Sequence, residues 1–187
     1  MVRRGSSRPL GCAVLALAFS CSVWAEEGKQ IPVSDETFKC LTEMTPARGF
    51  FVANLLGNLD DTLTIANSPA GGRYPPGTMI QLVPTEVMIK HKEGWNPVTK
   101  DWEFFELEVS ESGSKIKVRG VNEVVNRFGG NCFGCHVAAR PEWDLICEKG
   151  HGCAPLPITT ERIVATQKAD PRCKKSATAA STAANAQ

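Results

Sequence analysis

Trp102-Glu103-Phe104-Phe105-Glu106-Leu107-Glu108-Val109-Ser110 runs into Glu111-Ser112-Gly113-Ser114 and returns as Lys115-Ile116-Lys117-Val118-Arg119. Apolar and acidic residues alternate along the first segment, the period of a half-buried strand. Phe105, Leu107 and Val109 then share one face. The Ser/Gly cluster supplies a hairpin turn, and Ile116 and Val118 are expected to point together on the returning strand. That hairpin decides the fold: its strands are antiparallel, and the segments before it extend the same sheet. Thr78 to Val83 and Glu86 to His91 read as strands interrupted by Pro84, after a Gly/Pro-rich turn from Ser68 to Pro76. Farther upstream, Phe50, Phe51, Leu55, Leu56 and Leu59 recur at near-helical spacing, with Leu63 and Ile65 beyond them. Thr45 to Asn67 is therefore expected to hold helix, split by Gly57 and Asp60-Asp61. A short helix is expected from Val121 to Arg127, followed by a helix that carries His136 and stops near Pro141. The class is α+β, an antiparallel sheet packed with helices.

Asn131-Cys132-Phe133-Gly134-Cys135-His136 contains a Cys-x-x-Cys-His run, the pattern of covalent c-type haem attachment. Two thiols at this spacing can add to the two vinyl groups of one haem, while the adjoining imidazole binds its iron. Cys132 and Cys135 are the expected cofactor-binding residues and His136 the proximal iron ligand. Cys-x-x-Cys also serves zinc sites and redox disulfides. Zinc needs two further ligands, and no second Cys-x-x-Cys or His-x-x-x-His pair is present. A thioredoxin-like motif would join a strand to a helix in a βαβ unit, whereas Phe128-Gly129-Gly130-Asn131 reads as a loop. One covalently attached haem c, with the sheet and helices packed around it, is the expected cofactor.

Residues 1–25 read as a secretory signal peptide, with Arg3, Arg4 and Arg8 before an apolar centre and Val23-Trp24-Ala25 at the cleavage site. The apolar stretch is too short for a membrane span. A periplasmic or secreted protein is expected, consisting of a haem domain over 26–173 and a low-complexity, disordered tail over 174–187. Of eight cysteines, Cys12 and Cys21 go with the signal and Cys132 and Cys135 with haem. Cys40, Cys147, Cys153 and Cys173 remain, and an oxidising compartment favours two disulfides. Three pairings are open; Cys147 with Cys153 and Cys40 with Cys173 are favoured, the first closing a Gly-His-Gly turn and the second joining the domain's ends. The signal takes three of 21 basic residues and none of 20 acidic, leaving 18 against 20. Near-neutrality excludes a nucleic-acid footprint, and no later segment has the length of a membrane span.

Pro76-Gly77-Thr78-Met79-Ile80 opening a strand, Asp101-Trp102-Glu103-Phe104-Phe105, the late Cys132-to-His136 motif and Trp143-Asp144-Leu145-Ile146 after it resemble, in that order, the cytochrome P-460 and cytochrome c′-beta family. The resemblance implies a sheet-rich α+β domain, in many members a homodimer, with strands walling a haem pocket. In cytochrome P-460 itself a lysine just after the Gly-Thr strand start is cross-linked to the macrocycle, and the enzyme oxidises hydroxylamine. Here the matching stretch is Met79-Ile80-Gln81-Leu82-Val83 and has no lysine; Lys90 and Lys92 lie farther along. That departure favours the c′-beta side, which binds small gases such as nitric oxide at a pentacoordinate haem.

The sixth iron position separates the functions. Met44, Met79, Met88, His91 and His151 are candidates, with Met79 and Met88 the distal candidates carried forward; a methionine there favours electron transfer, an apolar opening a diatomic ligand. The preferred reading is a partly open distal side lined by Phe104, Phe105 or Met79. His91 is expected to be exposed, and Glu103, Glu106 and Glu108 to form a solvated face, with an acid–base role if that face turns toward iron. Arg127 and Arg140 are candidates for pairing with haem propionates. Three functions follow: binding or processing a small nitrogen oxide, plain electron transfer to a redox partner protein, or oxidation of hydroxylamine or reduction of peroxide.

Overall fold

The computed structural model describes residues 28–173; the expected signal peptide over 1–25 and the expected tail over 174–187 lie outside the described residues. Six strands form one antiparallel meander in sequence order: β1 Thr45–Ala47, β2 Phe50–Asn54, β3 Thr78–Val83, β4 Glu86–Lys90, β5 Trp102–Ser110 and β6 Gly113–Gly120. Among the described residues three short α-helices accompany it: α1 Leu59–Ala66, α2 Cys132–His136 and α3 Thr160–Lys168. The α+β class and the antiparallel sheet are as expected. Two-residue turns set the registers, with Ser110 opposite Gly113 and Val83 opposite Glu86, so Pro84 sits at a corner where it costs no ladder bond.

The segment from Phe50 to Asn54 is strand, not helix. Arg48 and Gly49 have φ values of 47° and 98°, the double left-handed turn that matches strand twist, and they fold β2 back on β1. Phe50 and Val52 then point to one face and Phe51 and Ala53 to the other. The helix begins only at Leu59, with Asp60 and Asp61 in its first turn, where acidic side chains oppose the helix dipole favourably. Residues 121–127 are also not helical. Asn126 Oδ1 accepts from Phe128 N at 2.9 Å and Gly130 N at 3.0 Å, an alternative that outcompetes helix in so short a segment. Ile116 and Val118 lie on opposite faces, because Glu106 pairs with Val118 and Leu107 with Ile116, leaving Lys117 as a bulge residue.

Both faces of the sheet are covered. Met79, Val87, Ile89, Phe105 and Leu107 meet the amino-terminal Phe38, Leu41 and Met44 on one side. Val52, Ile80, Met88, Trp102 and Phe104 meet Tyr74, Val124, Leu145 and Ile146 on the other, and Cys132 and Phe133 pack against this second cluster. The favoured disulfides are both present, Cys40–Cys173 and Cys147–Cys153.

Gly71 is the tightest joint between the sheet's connections and the stretch after α2. Its φ is 74°, and a Cβ there would overlap the Glu142 carbonyl, while Gly72 N donates to that oxygen at 2.8 Å. Gly71→Ala combines a strained backbone with a backbone overlap and is expected to cost about 3 kcal/mol. Urea unfolding should show a lower midpoint with an unchanged slope; a midpoint equal to wild type would refute the assigned contact.

Candidate cofactor site

Helix α2 has five residues, and its start is tied down from the side. Asn131 Oδ1 accepts from Gly134 N at 2.7 Å, while its Nδ2 donates to Asn122 O at 2.8 Å and Val124 O at 3.2 Å. Cap and anchor are thus one side chain. One helical turn places Cys132, Cys135 and His136 on adjoining positions of the same side.

Cys132 and Cys135 are unpaired, whereas the other four described cysteines are joined in disulfides. The Cys132 thiol is pushed up to about 12, first by burial and then by the carboxylates of Glu86 and Glu106 and the neighbouring thiol. A redox dithiol needs the opposite, a thiolate favoured by its surroundings. Nor do the two sulfurs and the His136 nitrogens close on one point: among the described residues the clustered metal-type donors are Cys40, Asp170 and Cys173, and those two sulfurs are spent in a disulfide.

His136 is aimed by its own backbone. Its Nδ1 lies 2.6 Å from Leu145 O, and because a carbonyl only accepts, Nδ1 carries the proton and Nε2 the lone pair. This is the tautomer that ligates a metal through Nε2, with a carbonyl fixing ring orientation and raising basicity. Burial holds its pKa below the ordinary value, outweighing that hydrogen bond, so the ring is kept neutral. Phe104 of β5 lies 5.3 Å from the His136 ring and 6.2 Å from Phe133.

The sheet sorts the remaining candidates. Met88 is on the face that packs toward Cys132 and Phe104, with Ile80 and Phe104 as its strand neighbours. Met79 is on the opposite face beside Phe105, whose ring is 5.3 Å from Phe38; Met44 is there too. The expected lining by Phe104, Phe105 and Met79 is therefore divided, because neighbours along a strand point to opposite sides. His91 is fully buried rather than exposed. Ile31 N donates to its Nδ1 at 2.9 Å, leaving Nε2 to donate to Glu103 at 2.7 Å. Glu103 is likewise buried, not solvated, and also accepts from Arg119 Nε at 2.7 Å and a second guanidinium nitrogen at 2.8 Å. Glu106 instead pairs with Lys117 at 3.0 Å and Glu108 is exposed. His151 Nδ1 donates to Ile146 O at 2.8 Å, and its ring stacks on Trp143 at 3.6 Å.

Arg140 pairs with Glu142 at 2.8 Å, on the surface. Arg127 lies beside Glu86, whose carboxyl is raised by burial against the opposing pull of Arg127. Arg127 also lines a cleft of about 600 Å³ with Phe128, Leu156 and Arg162, at the start of α3. No residue of α3 is buried, although Gln167 ties it to Gly49 O and Leu82 O.

The partners missing from the sequence reading are Leu145, Asp144 and Lys90. Lys90 Nζ is 2.6 Å from Asp144 Oδ2, and both side chains are buried. A neutral imidazole with an open Nε2 beside two unpaired thiols can ligate one metal and form two thioethers. No protein-family model, curated protein or solved structure matches this chain.

Proposed function

We propose that this chain is an exported monohaem c-type protein of the P-460/c′-beta kind, which binds or processes a small nitrogen oxide at a partly open haem iron. Cys132 and Cys135 hold the haem through thioethers, and His136 is its proximal ligand. The observation that carries this reading is the bond from His136 Nδ1 to Leu145 O, which leaves Nε2 as the ligating nitrogen beside two unpaired thiols. The haem supplies an iron able to bind a diatomic ligand and exchange an electron with a redox partner protein. Around it, the chain's residues bind, orient and shield: Phe104 and Phe133 offer apolar surface next to His136.

A periplasmic or secreted location is supported by two disulfides, which persist in oxidising compartments. Among the described residues no helix is long and apolar enough to cross a membrane. Homodimer formation remains an implication of the resemblance. One candidate sixth ligand, His91, has both ring nitrogens engaged, by Ile31 N and Glu103; His151 is held by its Nδ1 bond to Ile146 O and by stacking on Trp143. Met88 alone among the methionine candidates shares the face that packs on Cys132, and it is the observation favouring the second reading, a six-coordinate electron carrier.

Intact mass and ferrous absorption of protein matured in a haem-attaching host decide the matter. The expected mass is polypeptide plus one haem, lost when both Cys132 and Cys135 are alanine. Carbon monoxide or nitric oxide should shift the ferrous spectrum immediately. A spectrum indifferent to both gases, but responsive in Met88→Ala, transfers the assignment to the electron carrier. Colourless protein with the mass of polypeptide alone refutes both.

A further inference from the structure

We infer that Lys90 and Asp144 are positioning residues, a buried ion pair that holds the Leu145 carbonyl on His136 and so sets how strongly the imidazole donates to iron. The inference rests on the proposed ligand role of His136.

Asp144 and Leu145 have φ values of 50° and 68°, two successive left-handed residues neither of which is glycine. Non-glycine residues are strained there, and the conformation persists only where surrounding contacts over-determine it. Here they do. Asp144 Oδ2 accepts from Lys90 Nζ at 2.6 Å and Tyr74 N at 2.9 Å, and Asp144 O accepts from Trp102 Nε1 at 2.8 Å. The Lys90 ammonium also stands 5.0 Å over the Trp102 ring, and the two residues are register partners on β4 and β5. Downstream, Ile146 N donates to Trp143 O at 2.8 Å. The carbonyl that follows this twice left-handed step is the one His136 Nδ1 meets.

Stability does not explain the pair. Lys90 and Trp102 are at most 1 % exposed and Asp144 is 3 % exposed, and a buried ion pair is seldom more stabilising than an apolar pair of similar volume. Its effect is directional: each bond fixes the peptide whose oxygen lies one residue farther on. A donor bond at Nδ1 raises ligand basicity, and stronger donation stabilises ferric over ferrous iron. Loosening the clamp should therefore raise the midpoint potential.

The test uses haem-loaded protein and two readouts, the midpoint potential and the iron–histidine stretching band of the ferrous state. Lys90→Met leaves Asp144 as a lone buried charge, so the neutral double variant Lys90→Met/Asp144→Asn, which retains an acceptor for Tyr74 N, is measured beside it. Trp102→Phe removes the third bond. Each folded variant is expected to move the iron equilibrium three- to tenfold toward ferrous, about 28 to 59 mV upward for one electron. The band should move to lower frequency. Arg172→Met breaks a buried pair with Asp170 remote from His136 and should lower stability without moving either readout. Haem-bearing Lys90, Asp144 and Trp102 variants with wild-type potential and band overturn this inference alone. An equal shift in Arg172→Met overturns it too. Wild-type protein without attached haem overturns the assignment of His136 on which it rests.

Discussion

Removing the Cys40–Cys173 disulfide, by replacing both residues with alanine, is expected to lower the unfolding free energy by about 5 kcal/mol. The bond spans a sequence separation of 133 residues, and loop-closure entropy in the unfolded chain grows with the logarithm of that length. The same relation gives about 2 kcal/mol for Cys147–Cys153, whose separation is 6. The two bridges thus differ in purpose: the long one holds the fold, while the short one shapes the loop carrying His151. Side chains around the long bridge add to it. Asp170 Oδ2 accepts from Leu41 N at 3.0 Å, and Arg172 grips the same carboxylate at 2.7 Å while donating to Ser114 at 3.1 Å. A domain has only some 5–15 kcal/mol to lose, so the long-loop variant should be near unfolding at physiological temperature. Urea titrations of the two double variants measure the difference. Equal, small losses of about 1 kcal/mol would show that the unfolded chain is already constrained by other means.

Acid should unfold the protein through Glu103. Burial raises this carboxyl, but the hydrogen bonds from His91 and Arg119, with the Arg119 charge, outweigh it and hold the pKa below its ordinary 4.5. A carboxylate depressed in the folded state contributes stability that is present above the unfolded value and is lost as pH falls through the folded one. Asp170 behaves alike: burial raises it, and Arg172 with the Leu41 amide brings it below the ordinary 3.8. Stability should accordingly hold above about pH 4.5 and fall steadily below it. Glu103→Ala removes the acceptor shared by His91 and Arg119 and is expected to cost about 3 kcal/mol, at the lower end for broken buried pairs. Arg119, with 32 % of its side chain exposed, keeps water as a partner. The variant's stability should depend less on pH below about 4.5 than that of wild type. Parallel curves for the two proteins would sink this account. Because His91 also accepts from Ile31 N and Arg119 donates to Val33 O at 3.3 Å, the loss should first free the amino-terminal cover of the sheet, visible as faster amide exchange there.

The β5–β6 hairpin was legible because its residues alternate and its turn chemistry is local, and β3 and β4 for the same reason. The failure at Phe50–Asn54 has an equally local cause. Apolar residues at 50, 51, 55 and 56 satisfy a helical period, while Phe50 and Val52 on one face and Phe51 and Ala53 on the other equally suit a strand packed on both sides. What breaks the tie is the left-handed Arg48-Gly49 corner, and an arginine there carries little turn signal. The bulge at Lys117 was invisible for another reason: a one-residue slip is decided by the partner strand. Glu103 and His91 were misplaced as surface residues because their burial depends on each other and on Arg119, from another strand.

By itself, the sequence determined the sheet-forming periodicity, the Cys132-to-His136 spacing and an even set of remaining cysteines, since all three are short-range or countable properties. Only tertiary structure decided which sheet face meets α2, and with it the separation of Met88 from Met79. It also decided that Lys90, Asp144 and Trp102 gather behind the carbonyl of Leu145. These are pairings between residues 42 to 54 positions apart. Chain closure and burial, rather than any local preference, bring such groups within hydrogen-bonding distance.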